Sequence, residues 1–241
     1  MTRWFESNRS LFEREREALA IHQPLMTLDV LHPGAKINAL VTLKSDAAVA
    51  HGSYCIEVPG TARHRDYSIA VITRDDYPKS MPFVYCDDPK LPIGNIDRHI
   101  MKDGQACLGV YAELRQRWKE ASGITTFLKD IVAPFLAWQI YYDAYGHPPP
   151  WGQRAHAVAG ILEFYADLLA LPATPEVEGF MQLLARKNEP KGHEPCPCAS
   201  GERLRDCHKD LVRSARAKVA WQDVAVDIEH LRKNPLQKSQ A

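Results

Sequence analysis

Phe5, Phe12 and Leu19 recur every seven residues in "WFESNRSLFEREREALA", and the strong helix formers of "EREREALA" fill the turns between them. Residues 4–20 are therefore predicted to be helical. The period then changes. "AKINALVTL" (35–43), "SYCIEVP" (53–59), "DYSIAVIT" (66–73) and "MPFVYC" (81–86) are short runs, apolar or alternating. In the third, Tyr67, Ile69 and Val71 share one face. The turn-rich pieces "HPG", "SDAAVAHG", "PGTARHR" and "DDYPKS" separate these runs. Four strands at such close spacing predict an antiparallel meander.

After residue 86 the pattern breaks. Residues 86–118 carry several breakers and little apolar periodicity, so they read as a long loop, and long loops are often functional. Helical spacing returns over 123–142 through Ile124, Leu128, Ile131 and Phe135, with Pro134 expected to kink or split the helix. "GHPPPWG" (146–152) reads as a rigid loop. Residues 153–171 form a further helix, with His156 and Gly160 one turn apart, and a short helix spans 175–187. "KNEPKGHEP" (187–195) is a polar linker. A last helix is expected over 211–233, followed by a frayed tail. There is no internal repeat.

The chain has 241 residues, 45% hydrophobic and 25% charged, enough for one good core with an appendage or for two small domains. Formal net charge is zero, so nothing global argues for nucleic acid or a membrane surface. No apolar run approaches the ~18 residues of a membrane span. The charged N-terminus lacks the apolar core of a signal peptide. These features predict a cytoplasmic protein whose six cysteines stay reduced. Cys55, Cys86 and Cys107 are scattered, whereas Cys196, Cys198 and Cys207 are clustered. Cys55 and Cys86 fall in predicted strands and read as small packing residues. Trp118, Trp138 and Trp151 read as core and loop anchors.

Cys107 closes the polar loop "DRHIMKDGQACLGV" (97–110). A free thiol is only slightly ionised at neutral pH but is strongly nucleophilic as the thiolate. Acyl transfer at such a thiol needs access and a donor for the oxyanion. Gly104 allows close backbone approach, and His99, Lys102 and loop amides are candidate donors. The other reading of Cys107 is a small buried hydrophobe. No GxxxxGK[ST] motif is present, so any acyl group the chain carries must arrive already activated or come by exchange.

"DYPKSMPFVYC" followed by "DGQACLGV" resembles the ubiquitin-conjugating enzyme family. Tyr77-Pro78-Lys79-Ser80-Met81-Pro82 stands where that family has its Tyr-Pro-x-x-Pro-Pro-type stretch. Gly104-Gln105-Ala106-Cys107-Leu108 stands where it has the catalytic cysteine, with Trp118 and a long helix after it. The resemblance covers roughly residues 1–171 and implies that Cys107 is the catalytic nucleophile. Asp97-Arg98-His99 occupies the place of the family's His-Pro-Asn, so His99 replaces an asparagine that supports the loop. His99 can act as oxyanion donor, as loop brace or as general base. The stretch "YGHPPPWGQRAHAVAGILEFY" (145–165) is similar to bacterial members of the superfamily found in anti-phage (CBASS-type) operons. That likeness implies a ubiquitin-like protein, or the C-terminal tail of a cGAS-like cyclic-nucleotide synthase, as the acyl donor. It also implies a target lysine as partner, and leaves open whether a separate activating enzyme is needed. His147 could fold near Cys107 or face solvent, and Asp143 could guide the incoming lysine or be a solvated helix-end acid.

"CPCASGERLRDCH" (196–208) is the most specific local signal. Three thiolates and an imidazole, from Cys196, Cys198, Cys207 and His208, form a closed tetrahedral zinc set. Ser200-Gly201 permits a turn between the halves, and "ERLRD" can run as a helical turn. So short a segment needs metal to fold. His193 is a spare candidate ligand. The pattern resembles the SEC-C motif, the zinc tail of a translocation ATPase, and implies a structural Zn2+ in a small binding module.

These readings predict an α+β chain with a ubiquitin-conjugating-like fold: N-terminal helix, four-stranded antiparallel meander, cysteine loop and C-terminal helices. The expected division is residues 1–172 as that domain, 173–194 as a short helix and linker, 195–212 as the zinc motif, and 213–241 as a C-terminal helix and tail. The expected function is transfer of a ubiquitin-like protein or synthase tail, carried as a thioester on Cys107, to an amine. The competing expectation is a non-catalytic scaffold that recruits a client through the zinc motif.

Overall fold

The computed structural model describes residues 3–57, 64–150, 154–155 and 157–233. Trp151, His156 and the tail beyond residue 233 lie outside the described residues. The chain is mixed α+β and divides into two compact units. One comprises Met1–Leu108 and Trp118–Gly152; the other comprises Gly109–Arg117 and Gln153–Ala241. The expected grouping of 1–172 cuts across this division.

In the first unit, α1 (Trp4–Ser7) and α2 (Arg9–His22) precede a sheet of β1 (Met26–Leu31), β2 (Ala47–Glu57), β3 (His64–Ile72) and β4 (Phe83–Cys86). The strands lie in the order β1-β2-β3-β4, all antiparallel, with Leu28 opposite Ala50 and Val71 opposite both Ala50 and Val84. The meander is present, but its first strand is not the expected 35–43. It is the earlier "MTLDVL", where Met26 and Leu28 point inward and Thr27 outward. Residues 35–43 instead fold into a turn. The Asn38 side-chain oxygen accepts the N–H groups of Leu40 and Val41, each at 2.8 Å, and Lys36 bridges Thr42. A short polar side chain has here outcompeted strand pairing for local backbone donors. β2 also begins earlier than expected, inside the predicted turn "SDAAVAHG". Ala48, Val49 and Ala50 are fully buried, and alanines carry little strand signal.

Phe12 and Leu19 of α2 are buried as their spacing predicts, but Glu15 is buried with them. Its carboxylate accepts the Tyr77 hydroxyl at 2.8 Å and the Ile124 N–H at 2.8 Å. That amide opens α4 (Gly123–Phe127). The Trp118 indole donates to the Gly123 carbonyl at 2.8 Å, so the first turn of α4 is held on both sides. From α4 the chain passes through one wide turn (Leu128–Val132) into α5 (Ala133–Tyr145). Pro134 therefore neither splits nor ends the helical run. Its missing N–H and its ring are accommodated by the wider turn before it. The Tyr54 hydroxyl donates to the Leu128 carbonyl there at 3.2 Å.

The second unit is helical: α3 (Tyr111–Arg117), α6 (Ala157–Leu169), α7 (Glu176–Leu184), α8 (Lys209–Arg216) and α9 (Trp221–Lys233). α3 lies in the stretch read as loop. Its helical turns rest on a distant residue: Asp227 of α9 accepts the Tyr111 and Ala112 N–H groups at 2.9 and 3.0 Å. The Tyr165 hydroxyl donates to the same carboxylate at 2.9 Å. The single helix expected over 211–233 is two. Arg216, at the end of α8, donates to the Leu183 and Leu184 carbonyls of α7, and Val219 turns into the core before α9 starts. Among the described residues no helix is long and apolar enough to cross a membrane.

Glu15→Gln replaces a carboxylate that serves two buried donors with a group that presents its own donor to one of them. It is expected to cost about 1–3 kcal/mol in urea unfolding. Asp227 offers a test of sign. Burial pushes its carboxyl up to about 6, above the ordinary unfolded value. The folded state thus holds the proton more tightly, and the resulting stability is gained as pH falls through about 6 and complete only below about 4. Between pH 7 and pH 5 the parent should gain roughly 1 kcal/mol relative to Asp227→Asn, measured by urea unfolding at both pH values.

Candidate functional site

Cys107 sits at the end of a hairpin spanning residues 99–107. Its N–H donates to the His99 carbonyl at 2.8 Å, and the Met101 N–H donates to the Gln105 carbonyl at 2.8 Å, with Ile100 opposite Ala106. The second arm continues the sheet beyond β4. Cys86 N–H donates to the Gly104 carbonyl and Ala106 N–H to the Val84 carbonyl, each at 2.8 Å. Ile100 and Ala106 are buried, whereas Cys107 is exposed. The eight-residue interval between His99 and Cys107 is thus a register: the two are cross-strand neighbours.

Both ends of the hairpin are fastened. At the tip, Asn38 Nδ2 donates to the Asp103 carbonyl at 2.8 Å and to the Cys86 carbonyl at 3.3 Å. Gly104 is required beside it: φ is +86°, and a Cβ there would lie 2.5 Å from Asn38 Nδ2. At the base, Asn95, Ile96, Asp97 and Arg98 form one tight turn, with Asn95 Oδ1 accepting the Arg98 N–H. His99 leaves that turn in the left-handed region, φ 54° and ψ 35°. Asn, Asp and His are the side chains that tolerate this conformation best. The His99 ring is half-buried and packs edge-on against Trp138, with centroids 5.6 Å apart. Arg98 is buried against α5. Its Nε donates to Gln139 Oε1 at 2.8 Å and its Nη2 to Asp143 Oδ1 at 2.7 Å. Its guanidinium lies 4.5 Å from the Tyr142 ring centroid.

Asp143 is therefore engaged as the ion partner of Arg98 and of Arg65, the latter at 3.3 Å. His147 rests on Tyr141 and Tyr145, with its Nδ1 2.9 Å from the Pro148 carbonyl. Burial pushes the Cys86 thiol up to about 12, and Cys55 is raised by a hydrogen bond to Asp66, which lies opposite it in the sheet.

The second cluster lies in the helical unit. The segments around Cys196 and Arg203 pair as a small antiparallel hairpin. Cys196 N–H donates to the Glu202 carbonyl at 2.9 Å, Leu204 N–H to Glu194 at 2.8 Å, and Arg205 N–H to Gly192 at 2.9 Å. Ala199 (φ 59°) and Gly201 (φ 79°) turn the loop between its arms. The helical turn expected in "ERLRD" is present over Leu204–Asp206. It delivers Cys207 and then His208, which precedes the first residue of α8. Pro197 packs against Gly179 of α7, where a Cβ would come within 2.8 Å, and the Phe180 ring meets the His208 ring edge-on at 5.4 Å.

The donor atoms of Cys196, Cys198, Cys207 and His208 all lie within 4.8 Å of one another, so the four could hold one metal ion. His208 Nδ1 is 3.2 Å from Cys196 Sγ and 3.0 Å from Cys207 Sγ, and Cys198 Sγ is 3.5 Å from Cys207 Sγ. The Ser200 hydroxyl, 3.2 Å from Cys198 Sγ, draws that thiol down to about 6, whereas burial pushes Cys196 up to about 12. A metal ion there would bind the three sulfurs as thiolates, and its charge would offset their mutual repulsion. His193, the spare candidate, is exposed and outside the four.

Three residues that build the cysteine hairpin went unread in the sequence: Asn38, Arg98 and Gln139. Gln139 did carry a signal, as a lone amide within the apolar run "FLAWQIYY". No family model, curated protein or solved structure matches this chain.

Proposed function

We propose that the first unit is a ubiquitin-conjugating-like acyltransferase with Cys107 as its nucleophile. The observation that carries the reading is an exposed thiol on a hairpin fastened at both ends, after an N-terminal helix and a four-stranded antiparallel meander. A fixed yet accessible thiol suits a reaction in which large acyl donors must approach one sulfur atom.

The chemistry runs in two steps. The Cys107 thiolate attacks the carbonyl carbon of an activated C-terminal acyl group, supplied as a thioester by a separate activating enzyme. A new C–S bond forms and the donor's thiolate leaves. The amine of a target lysine then attacks the Cys107 thioester. The C–N bond forms, the C–S bond breaks, Cys107 departs as thiolate, and the amine's proton passes to solvent. The donor is a ubiquitin-like protein or the C-terminal tail of a cyclic-nucleotide synthase, as in bacterial anti-phage systems. His99 contributes through its main chain: its carbonyl takes the Cys107 N–H, and its left-handed backbone turns the chain into the hairpin.

In the second unit, Cys196, Cys198, Cys207 and His208 would hold a structural Zn2+, in the manner of the SEC-C motif. A tetrahedron with Zn–S of about 2.3 Å has sulfur–sulfur edges of about 3.8 Å, and Cys198 and Cys207 stand 3.5 Å apart. Bound there, Zn2+ would supply cross-linking and charge neutralisation, held by these four side chains.

With an activated ubiquitin-like donor, intact mass spectrometry should find a thiol-labile adduct on the parent. Cys107→Ser should give a slower, more stable oxyester or none, and Cys107→Ala none. Undiminished conjugation by Cys107→Ala would sink the reading. Metal analysis should find one zinc per chain, lost in Cys198→Ser. Chelation should abolish hydrogen-exchange protection at the Cys196, Leu204 and Arg205 amides, whose bonds define the small hairpin.

A further inference from the structure

We propose that Gln139, a residue of α5 fully buried away from solvent, is the positioning residue of Cys107. It acts through its grip on Arg98 and, from there, through the His99 carbonyl. Gln139 Oε1 accepts the Arg98 Nε–H at 2.8 Å, and Gln139 Nε2 donates to the Arg98 carbonyl at 2.8 Å. The amide therefore grips both the side chain and the main chain of one residue. Arg98 in turn donates from Nη2 to the Gln139 main-chain carbonyl at 3.2 Å, which closes the grip from the other side.

The Arg98 carbonyl belongs to the peptide that joins Arg98 to His99. Fixing its direction fixes one end of His99, whose left-handed backbone then directs its own carbonyl at the Cys107 N–H. A non-glycine residue holds that conformation only where its surroundings over-determine it. Trp138 against the His99 ring and Gln139 on the preceding carbonyl supply that constraint from adjacent positions of one helix. The neighbouring amide of Ala106 is held differently, by the Val84 carbonyl of β4. Gln139 thus sets the position of Cys107 and leaves the remainder of the hairpin to the sheet and to Asn38.

A glutamine serves here because it carries an acceptor and a donor on one planar group. Gln139→Glu keeps an acceptor for Arg98 and removes the donor to its carbonyl. Gln139→Met keeps the approximate volume and removes both. Neither change alters the Asn38 contacts or the β4 pairing.

The inference rests on reading Cys107 as the reactive thiol, but its first readout does not. Amide hydrogen exchange of the full chain should show Cys107 N–H exchanging about tenfold faster in Gln139→Glu, the equivalent of one net hydrogen bond. Ala106 N–H should be unchanged. Gln139→Met is read the same way and covers the case in which the carboxylate variant fails to fold. The second readout is adduct formation at saturating activated donor, expected to fall about tenfold, while iodoacetamide still labels Cys107. Equal loss of protection at Ala106 and Cys107, or no loss at Cys107 in either variant, overturns the positioning role. If the parent forms no adduct, the transferase reading fails, and the exchange pattern still decides the role of Gln139.

Discussion

The first N–H groups of a helix have no partner within it, and burying them unpaired is costly. Both units meet this constraint with a carboxylate from a distant part of the chain. Glu15 of α2 takes the opening amide of α4, and Asp227 of α9 takes two opening amides of α3. Each also accepts a buried tyrosine hydroxyl, Tyr77 in one case and Tyr165 in the other. The short helix α3 could not persist alone, since seven residues fall well below the length at which isolated helices are stable. Its existence depends on a tertiary cap, and at α4 the same device fastens the start of the run that continues into α5. At Asp227 burial outweighs the favourable amides, since the carboxyl is raised despite accepting three hydrogen bonds.

The same economy of means governs the cysteine hairpin. Its inner arm borrows hydrogen bonds from β4, its tip borrows the Asn38 amide, and its base borrows Gln139 and Arg98 from α5 and the tight turn. Arg98 brings a buried positive charge, and the structure meets it with Asp143 at 2.7 Å and the Tyr142 ring. Removing one partner of such a group leaves an uncompensated charge, so its parts are not interchangeable. Asp143 is thereby a member of the brace rather than a free acid at a helix end.

What the sequence disclosed follows from range. Patterns that repeat locally were legible: the amphipathic α2, the strands at β3 and β4, the α5 stripe, and the short interval that places Cys196, Cys198, Cys207 and His208 together. Features decided by distant partners were not. The run 35–43 has strand-like composition, yet Asn38 turned it because its amide could also reach the Asp103 and Cys86 carbonyls. α3 has little apolar signal of its own and is stabilised by Asp227, more than a hundred residues away. β1 is hard to read because "MTLDVL" is short and begins just after a helix, where alternation over so few residues is weak. The pairing of His99 with Cys107 lay midway. Their spacing was plain, but its meaning as a hairpin register required the bonds to β4.

Cysteine chemistry in this chain is decided by surroundings that the residue itself does not announce. Cys86 lies in β4, is fully buried, and has its thiol pushed up to about 12 by desolvation, which removes it from nucleophilic chemistry near neutrality. Cys198 lies beside the Ser200 hydroxyl and is drawn down to about 6, which suits a metal ligand that must bind as thiolate. Cys107 differs from both in kind. It is exposed, it stands one residue beyond the buried Ala106, and its main chain is held by a carbonyl rather than by the sheet alone. Exposure by itself would leave a mobile thiol, and burial an inert one. A hairpin whose inner residues are locked into the sheet while its last residue emerges resolves that conflict, so that Cys107, of the scattered cysteines, is the one that is both exposed and held by its main chain.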